Sequence, residues 1–154
     1  MPPTTIYKLE RSSETFLCSI DLTIRNCETG NVVIHDHRFL PDVFEEDDDG
    51  KNISGNYTLP EEDLQEIIEI IHSGNKIFNR KKLEESEYVV FDGESNNIYF
   101  NDLEGHEVKF SEDNFFYEYE GISHDTKAGE VIRICSEIEE VLNRNGLSIL
   151  NIKL

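Results

Sequence analysis

The chain has 154 residues and carries 14 Lys and Arg against 33 Asp and Glu, which gives a formal net charge of −19. This length suits one domain with a sizeable core and leaves little room for a second. A hydrophobic content of 37% and an aromatic content of 10% exclude a disordered acidic tail. A field of this sign repels phosphates and anionic lipids, and therefore disfavours direct binding to nucleic acid or to a membrane surface.

The sequence also bears on the compartment. No apolar run approaches the roughly 20 residues that span a bilayer, and the N-terminus lacks the basic and apolar regions of a signal peptide. The three cysteines are an odd number without CxxC spacing, which argues against a disulfide framework. We therefore expect a cytoplasmic protein with free thiols and without a bound cofactor.

Alternating apolar residues predict the start of a sheet. From Phe16 to Ile24 every second residue is apolar, which is typical of a strand with one buried face. A turn that contains Gly30 leads to a partner strand over residues 32–40, so the two predict an antiparallel hairpin. Residues 42–57 are polar and predict a long, mobile acidic loop.

Two amphipathic helices are predicted next. Thr58 and Glu61 fit a capping box at the start of the first helix, which Gly74 ends. The second helix is predicted over residues 126–145, with Gly146 just after its end. Each has an apolar stripe: Leu64, Ile67, Ile68 and Ile71 in the first, and Val131, Ile134, Cys135, Ile138, Val141 and Leu142 in the second.

Short strands are predicted around the second helix. Three of them, over residues 88–92, 97–101 and 107–111, are separated by turn sequences, and a last strand is predicted over residues 147–154. The order is then β-β-α-β-β-β-α-β. It predicts a single α+β domain over residues 1–154, in which two helices pack on one face of a mainly antiparallel sheet.

The acidic residues are concentrated in two central blocks. Residues 41–74 hold eleven acids and one base, and residues 84–125 hold thirteen acids and one base. Both ends of the chain are nearly neutral, and a short basic stretch over residues 76–82 separates the two blocks. The negative charge is therefore concentrated in two segments of the chain, which predicts two acidic regions on the surface.

The first functional hypothesis is a non-enzymatic inhibitor that docks its acidic surface onto a basic, nucleic-acid-handling protein. The composition is similar to that of nucleic-acid mimics, anti-CRISPR proteins and immunity proteins, although no motif supports the likeness. The partner would be a nuclease or a defence effector. The residues predicted to bind it are Asp42, Glu45, Glu46, Asp47, Asp48, Asp49, Glu61, Glu62, Asp63, Glu112, Asp113, Glu118 and Glu120.

The second hypothesis is a metal-binding protein or a metal-dependent enzyme. His35 and His37 point to the same side of a strand, and Asp47 and Asp49 in the acidic loop offer oxygen ligands. The loop matches only the first positions of an EF-hand, because Asn56 stands where the bidentate Glu belongs.

The third hypothesis is a structural or assembly protein whose acids only keep it soluble. The basic stretch of one copy could also contact an acidic block of a second copy, so a homodimer is an alternative. The sequence contains no P-loop, GxSxG, GxGxxG or HExxH motif, and we therefore predict no catalytic residues.

Overall fold

A computed structural model describes residues 4–13, 18–27, 30–38, 52–74, 94–113, 127–150 and 152. These residues form an antiparallel sheet of six strands and two helices, which confirms the predicted α+β class. In chain order the elements are β1 Thr4–Ser13, β2 Cys18–Asn26, β3 Gly30–Asp36, β4 Gly55–Leu59, α1 Glu61–His72, β5 Glu94–Asn101, β6 Glu107–Asp113 and α2 Lys127–Arg144.

The strand order across the sheet is β4-β3-β2-β1-β5-β6, and every neighbouring pair is antiparallel. Strand β1 therefore lies near the middle, between β2 and β5. Alternation of apolar residues does not mark β1, for two physical reasons. Its register shifts between Thr5 and Tyr7, which interrupts the period of two, and Arg11 and Ser13 occupy inward positions that apolar residues usually fill.

The first predicted hairpin is confirmed as β2 and β3, and Cys18, Ile20, Leu22 and Ile24 are buried as expected. Phe16 lies outside the described residues. Strand β4 begins within the predicted loop over residues 42–57, extends past its end to Leu59, and pairs with β3 from Gly55 onward. Strand β4 lacks the apolar alternation that marks a strand in the sequence, because only Leu59 is fully buried. This is usual for a short strand at a sheet edge.

Helix α1 confirms the predicted apolar stripe but not the predicted start. Leu64, Ile67 and Ile71 are buried, and Ile68 packs against the core. The capping box is wrong, since Thr58 pairs with Asn31 in the sheet and the helix begins only after Pro60, without a side-chain cap. The Pro60 carbonyl accepts the first helical hydrogen bond instead, from the N–H of Leu64.

Helix α2 confirms its predicted span and its buried stripe. Gly146, with φ of 71°, ends it in the left-handed conformation, and the N–H of Leu147 donates to the carbonyl of Leu142. The described residues 147–150 do not form the predicted last strand. The reason is that buried side chains bind this segment in place of a neighbouring strand: Arg11 donates to the carbonyls of Ile149 and Leu150.

Both helices lie on one face of the sheet, because their buried side chains form one cluster with the inward side chains of the strands. We call this the inner face and the opposite one the outer face. Strand β5 begins at Glu94, earlier than predicted, while the predicted strand over residues 88–92 lies outside the described residues. Within the described part of the chain, neither helix combines the length and the apolar character that crossing a membrane requires.

Candidate partner-binding surface

Only part of the predicted binding set falls within the described residues. Glu61, Glu62 and Asp63 form the first turn of α1, and Glu112 and Asp113 end strand β6. The other predicted residues lie outside the described ranges: Asp42, Glu45, Glu46, Asp47, Asp48, Asp49, Glu118 and Glu120. The geometry of a candidate site can therefore be built on α1.

Helix α1 presents four exposed glutamates, Glu61, Glu62, Glu66 and Glu69, which we call the acidic face. The burial of Leu64, Ile67 and Ile71 fixes the helix rotation, so residues on the opposite side must point to solvent. No Lys or Arg occurs in residues 52–74, so the helix itself supplies no cation to balance this face. Like charges three and four residues apart repel one another weakly along it.

Asp63 differs from its neighbours because it has partners within the fold. Its side chain is half-buried, and its Oδ2 accepts a hydrogen bond of 2.9 Å from Nδ2 of Asn145. Arg144 lies 3.7 Å from its Oδ1 and also pairs with Glu66. Asp63 thus joins the start of α1 to the end of α2, and Glu61, Glu62 and Glu69 make up most of the acidic face that a partner would meet.

The first-turn acids also have a purely structural use. The unpaired N–H groups at a helix N-terminus carry a partial positive charge, which Glu61, Glu62 and Asp63 complement. That effect is confined to the first turn, so it gives no reason for Glu66 and Glu69 further along the helix. Glu66 pairs with Arg144, and Glu69 adds negative charge to the surface beyond the first turn.

The outer face of the sheet has a different charge pattern. Among the outward strand positions whose side chains the structure describes, three are acids and three are Lys or Arg, and Lys8 pairs with Glu10. Lys8 Nζ lies 2.7 Å from Glu10 Oε1, and the Tyr99 hydroxyl donates to Glu107 over 2.7 Å. The six charged positions are Lys8, Glu10, Asp21, Arg25, Glu107 and Lys109. In the described part of the chain, excess negative charge therefore belongs to the helical side.

The predicted metal residues come together only in part. His35 and His37 lie on the same side of the chain, with ring centroids 6.4 Å apart, and His35 Nδ1 lies 3.2 Å from Asp21 Oδ1. Asp47 and Asp49 lie outside the described residues. Across the ranges that the structure describes, no group of three or more His, Cys, Asp or Glu side chains could hold a metal ion.

A buried polar cluster on the inner face, centred on Glu139 of α2, was not predicted from the sequence. Glu139 is in fact buried, and burial raises its pKa although several donors oppose that shift. Its Oε1 accepts from the Tyr7 hydroxyl over 2.9 Å, and its Oε2 accepts from the Ser148 hydroxyl over 2.7 Å and from the Ile149 N–H over 3.2 Å. The cluster fixes the segment after α2 to the sheet.

The cysteines behave as the sequence predicts. Cys18 and Cys135 are buried core residues, Cys27 is half-buried, and all three are free thiols. Cys135 Sγ lies 3.1 Å from the Tyr7 hydroxyl, and burial strongly raises the pKa of its thiol. A protonated, buried thiol is a poor nucleophile, so this cluster has the character of a structural anchor.

A second buried carboxylate organises the connection from β3 to β4. Asp36 Oδ1 accepts from the Arg38 Nε over 2.9 Å, and its Oδ2 accepts from Arg38 Nη2 over 2.7 Å and from the Ile53 N–H over 3.1 Å. Asn52 donates its side-chain amide to the Asp36 carbonyl over 3.0 Å. These contacts bring residues 36–38 and 52–54 together. The sequence offered no signal for them beyond an Asp two residues before an Arg.

Among the residues that the structure describes, the surface therefore has an acidic helical side and a charge-balanced outer face. No protein-family model matches the chain, and neither the curated proteins nor the solved structures give a match.

Proposed function

We propose that this protein is a non-enzymatic inhibitor that binds a basic, nucleic-acid-handling protein, with the acidic face of α1 as part of its binding surface. The observation that carries the proposal is the exposure of Glu61, Glu62, Glu66 and Glu69 on a segment that contains no Lys or Arg. Such a surface attracts the same cationic groups that bind phosphates.

The contrast with the outer face supports this assignment. Acids that only confer solubility need no particular side of the molecule, whereas here the outer face is balanced and the helical side is acidic. Charge of one sign on one side steers a partner of the opposite sign into a defined orientation and accelerates association.

A direct test begins with capture of the partner from the native host at low and at high salt, followed by binding measurements with the purified partner. The test variant is Glu62→Gln with Glu69→Gln, which removes two charges from the acidic face without changing side-chain size. The matched control is Glu10→Gln with Glu107→Gln, which removes the same charge from the outer face.

We expect the test variant to bind on the order of tenfold more weakly, mainly through slower association, and the control to bind like the wild type. Equal affinity for the test variant and the control would contradict the proposal. If both bind more weakly, net charge and not this face governs binding. If neither does, the acidic face is not part of the binding surface.

A further inference from the structure

The turn between β5 and β6 exposes an apolar side chain in an unusual backbone conformation. Leu103 has φ of 66°, which glycine and asparagine adopt easily and leucine rarely does. Within the described ranges it is the one large hydrophobic residue classed as exposed, with 39% of its surface accessible. Leucine at position 103 is therefore unfavourable both for the backbone conformation and for exposure to water.

The surrounding residues hold this turn firmly. Asn101 Oδ1 accepts from the Leu103 N–H over 2.8 Å. The buried carboxylate of Asp102 accepts from the N–H groups of Glu104 and His106, over 2.8 and 3.1 Å, and its Oδ2 lies 2.7 Å from Nδ1 of the His106 ring. Strained residues persist where such contacts over-determine them, and they cluster at binding sites.

The turn adjoins the acidic face. Nε2 of His72 in α1 donates to the Asp102 carbonyl over 2.7 Å, and Glu69 precedes His72 by one helical turn. Glu104 follows Leu103 directly and is exposed as well. Leu103 thus lies in a turn that is hydrogen-bonded to α1 and that also carries the exposed Glu104.

We infer that Leu103 is an apolar anchor for the basic partner, contacting the aliphatic stems of its arginine and lysine side chains while Glu69 and Glu104 pair with their charged ends. The inference rests on the proposed function, since it assigns the chemistry of the partner at the same surface. Arg and Lys bury their methylene groups against apolar surface and keep the charge in a polar setting, which is the combination that this turn offers. A leucine with such a use is retained despite its strain.

The test uses two defined peptides that carry the same charge. One alternates arginine with glycine, and the other replaces arginine with diaminopropionic acid, which has a single methylene group before its ammonium group. Binding is measured by titration, with the Leu103 methyl resonances followed by NMR. The variants are Leu103→Asn and, as before, Glu62→Gln with Glu69→Gln.

We expect the arginine peptide to shift the Leu103 methyl resonances and to bind more tightly than the short-stem peptide. Burying the exposed 39% of Leu103 corresponds to about three- to eightfold in affinity, which Leu103→Asn should lose. Leu103→Asn should also raise the melting temperature, because asparagine accepts a positive φ. If Leu103 had only a structural role, Leu103→Asn would not both raise the melting temperature and weaken peptide binding.

The outcomes separate the two proposals. If Leu103→Asn binds as tightly as the wild type while the glutamate variant binds more weakly, the anchor is wrong and the acidic face stands. If neither variant changes the affinity, or if the wild type does not bind the arginine peptide, the proposed function fails together with the anchor. A lower melting temperature for Leu103→Asn would refute the argument from strain.

Discussion

Asp36→Asn should be one of the most destabilising substitutions of a polar residue in this protein. The Asp36 side chain is fully buried, and the Arg38 side chain that it binds is only 8% exposed. The substitution removes the negative charge and turns one acceptor into a donor, which then faces either Arg38 or the N–H of Ile53. Removal of one partner from a buried ion pair costs about 3–5 kcal/mol, a large part of the stability of a domain.

The assay is urea denaturation at neutral pH, with Asp21→Asn as the matched control. Asp21 pairs with His35 on the neighbouring strand, but their side chains are 26% and 61% exposed. The control should therefore lose less than about 1 kcal/mol. The denaturation midpoint should move far for Asp36→Asn and little for Asp21→Asn, with the slope unchanged in both.

The pH dependence provides an independent check on Asp36. Burial acts to raise its pKa, but the hydrogen bonds from Arg38 and from the Ile53 N–H outweigh it and lower the pKa. Its contribution to stability is then present above the ordinary carboxyl pKa of about 3.9 and lost as the pH falls through the lowered value. The difference between wild type and Asp36→Asn should shrink below about pH 4. A loss under about 1 kcal/mol at neutral pH, or a difference that stays constant down to about pH 2, would refute this reasoning.

Three further predictions concern other parts of the fold. Burial raises the pKa of Glu139, so the stability of the wild type relative to Glu139→Gln should be highest below the ordinary pKa of about 4.3 and fall as the pH rises toward 7. Paired melting curves in which this stability difference increases from about pH 4 to about pH 7 would contradict the prediction. In thiol titration of the native protein, Cys27 should react first, and Cys18 and Cys135 only on unfolding. Gly146→Ala should lower the free energy of unfolding by about 1 kcal/mol in denaturant titration. The added methyl group contacts no atom, so the cost comes from the positive φ alone, and an unchanged midpoint would show that α2 ends differently.

The predictable part of the fold is the part with regular apolar periodicity. The alternation in β2 and the stripes of α1 and α2 were enough to place one hairpin and both helices, because burial of one face imposes those periods. Strand β1 escaped prediction since Arg11 and Ser13 stand where apolar residues would mark a buried face. The inward position of Arg11 depends on the carbonyls of Ile149 and Leu150, which lie far along the chain and leave no local pattern.

The same limit applies to the candidate surface. The outward position of Glu66 and Glu69 follows from the helical period, but the predicted binding set contained only Glu61, Glu62 and Asp63 from this helix. The contact of Asp63 with Asn145 spans 82 residues and required the packing of α1 against α2. Burial of Glu139 was equally hidden, because its donors come from β1 and from the segment after α2. Long-range polar contacts decide which of many acids remain available to a partner.

The proposed function requires that the acidic face of α1 occupies the nucleic-acid-binding surface of a basic partner. Its most direct test is a competition measurement, in which labelled nucleic acid bound to the purified partner is displaced by this protein across a series of salt concentrations. We predict displacement by the wild type that weakens steeply with salt, and weaker displacement with a shallower salt dependence for Glu62→Gln with Glu69→Gln. Binding of the protein and the nucleic acid to the partner at the same time, or identical displacement by the variant, would contradict the account.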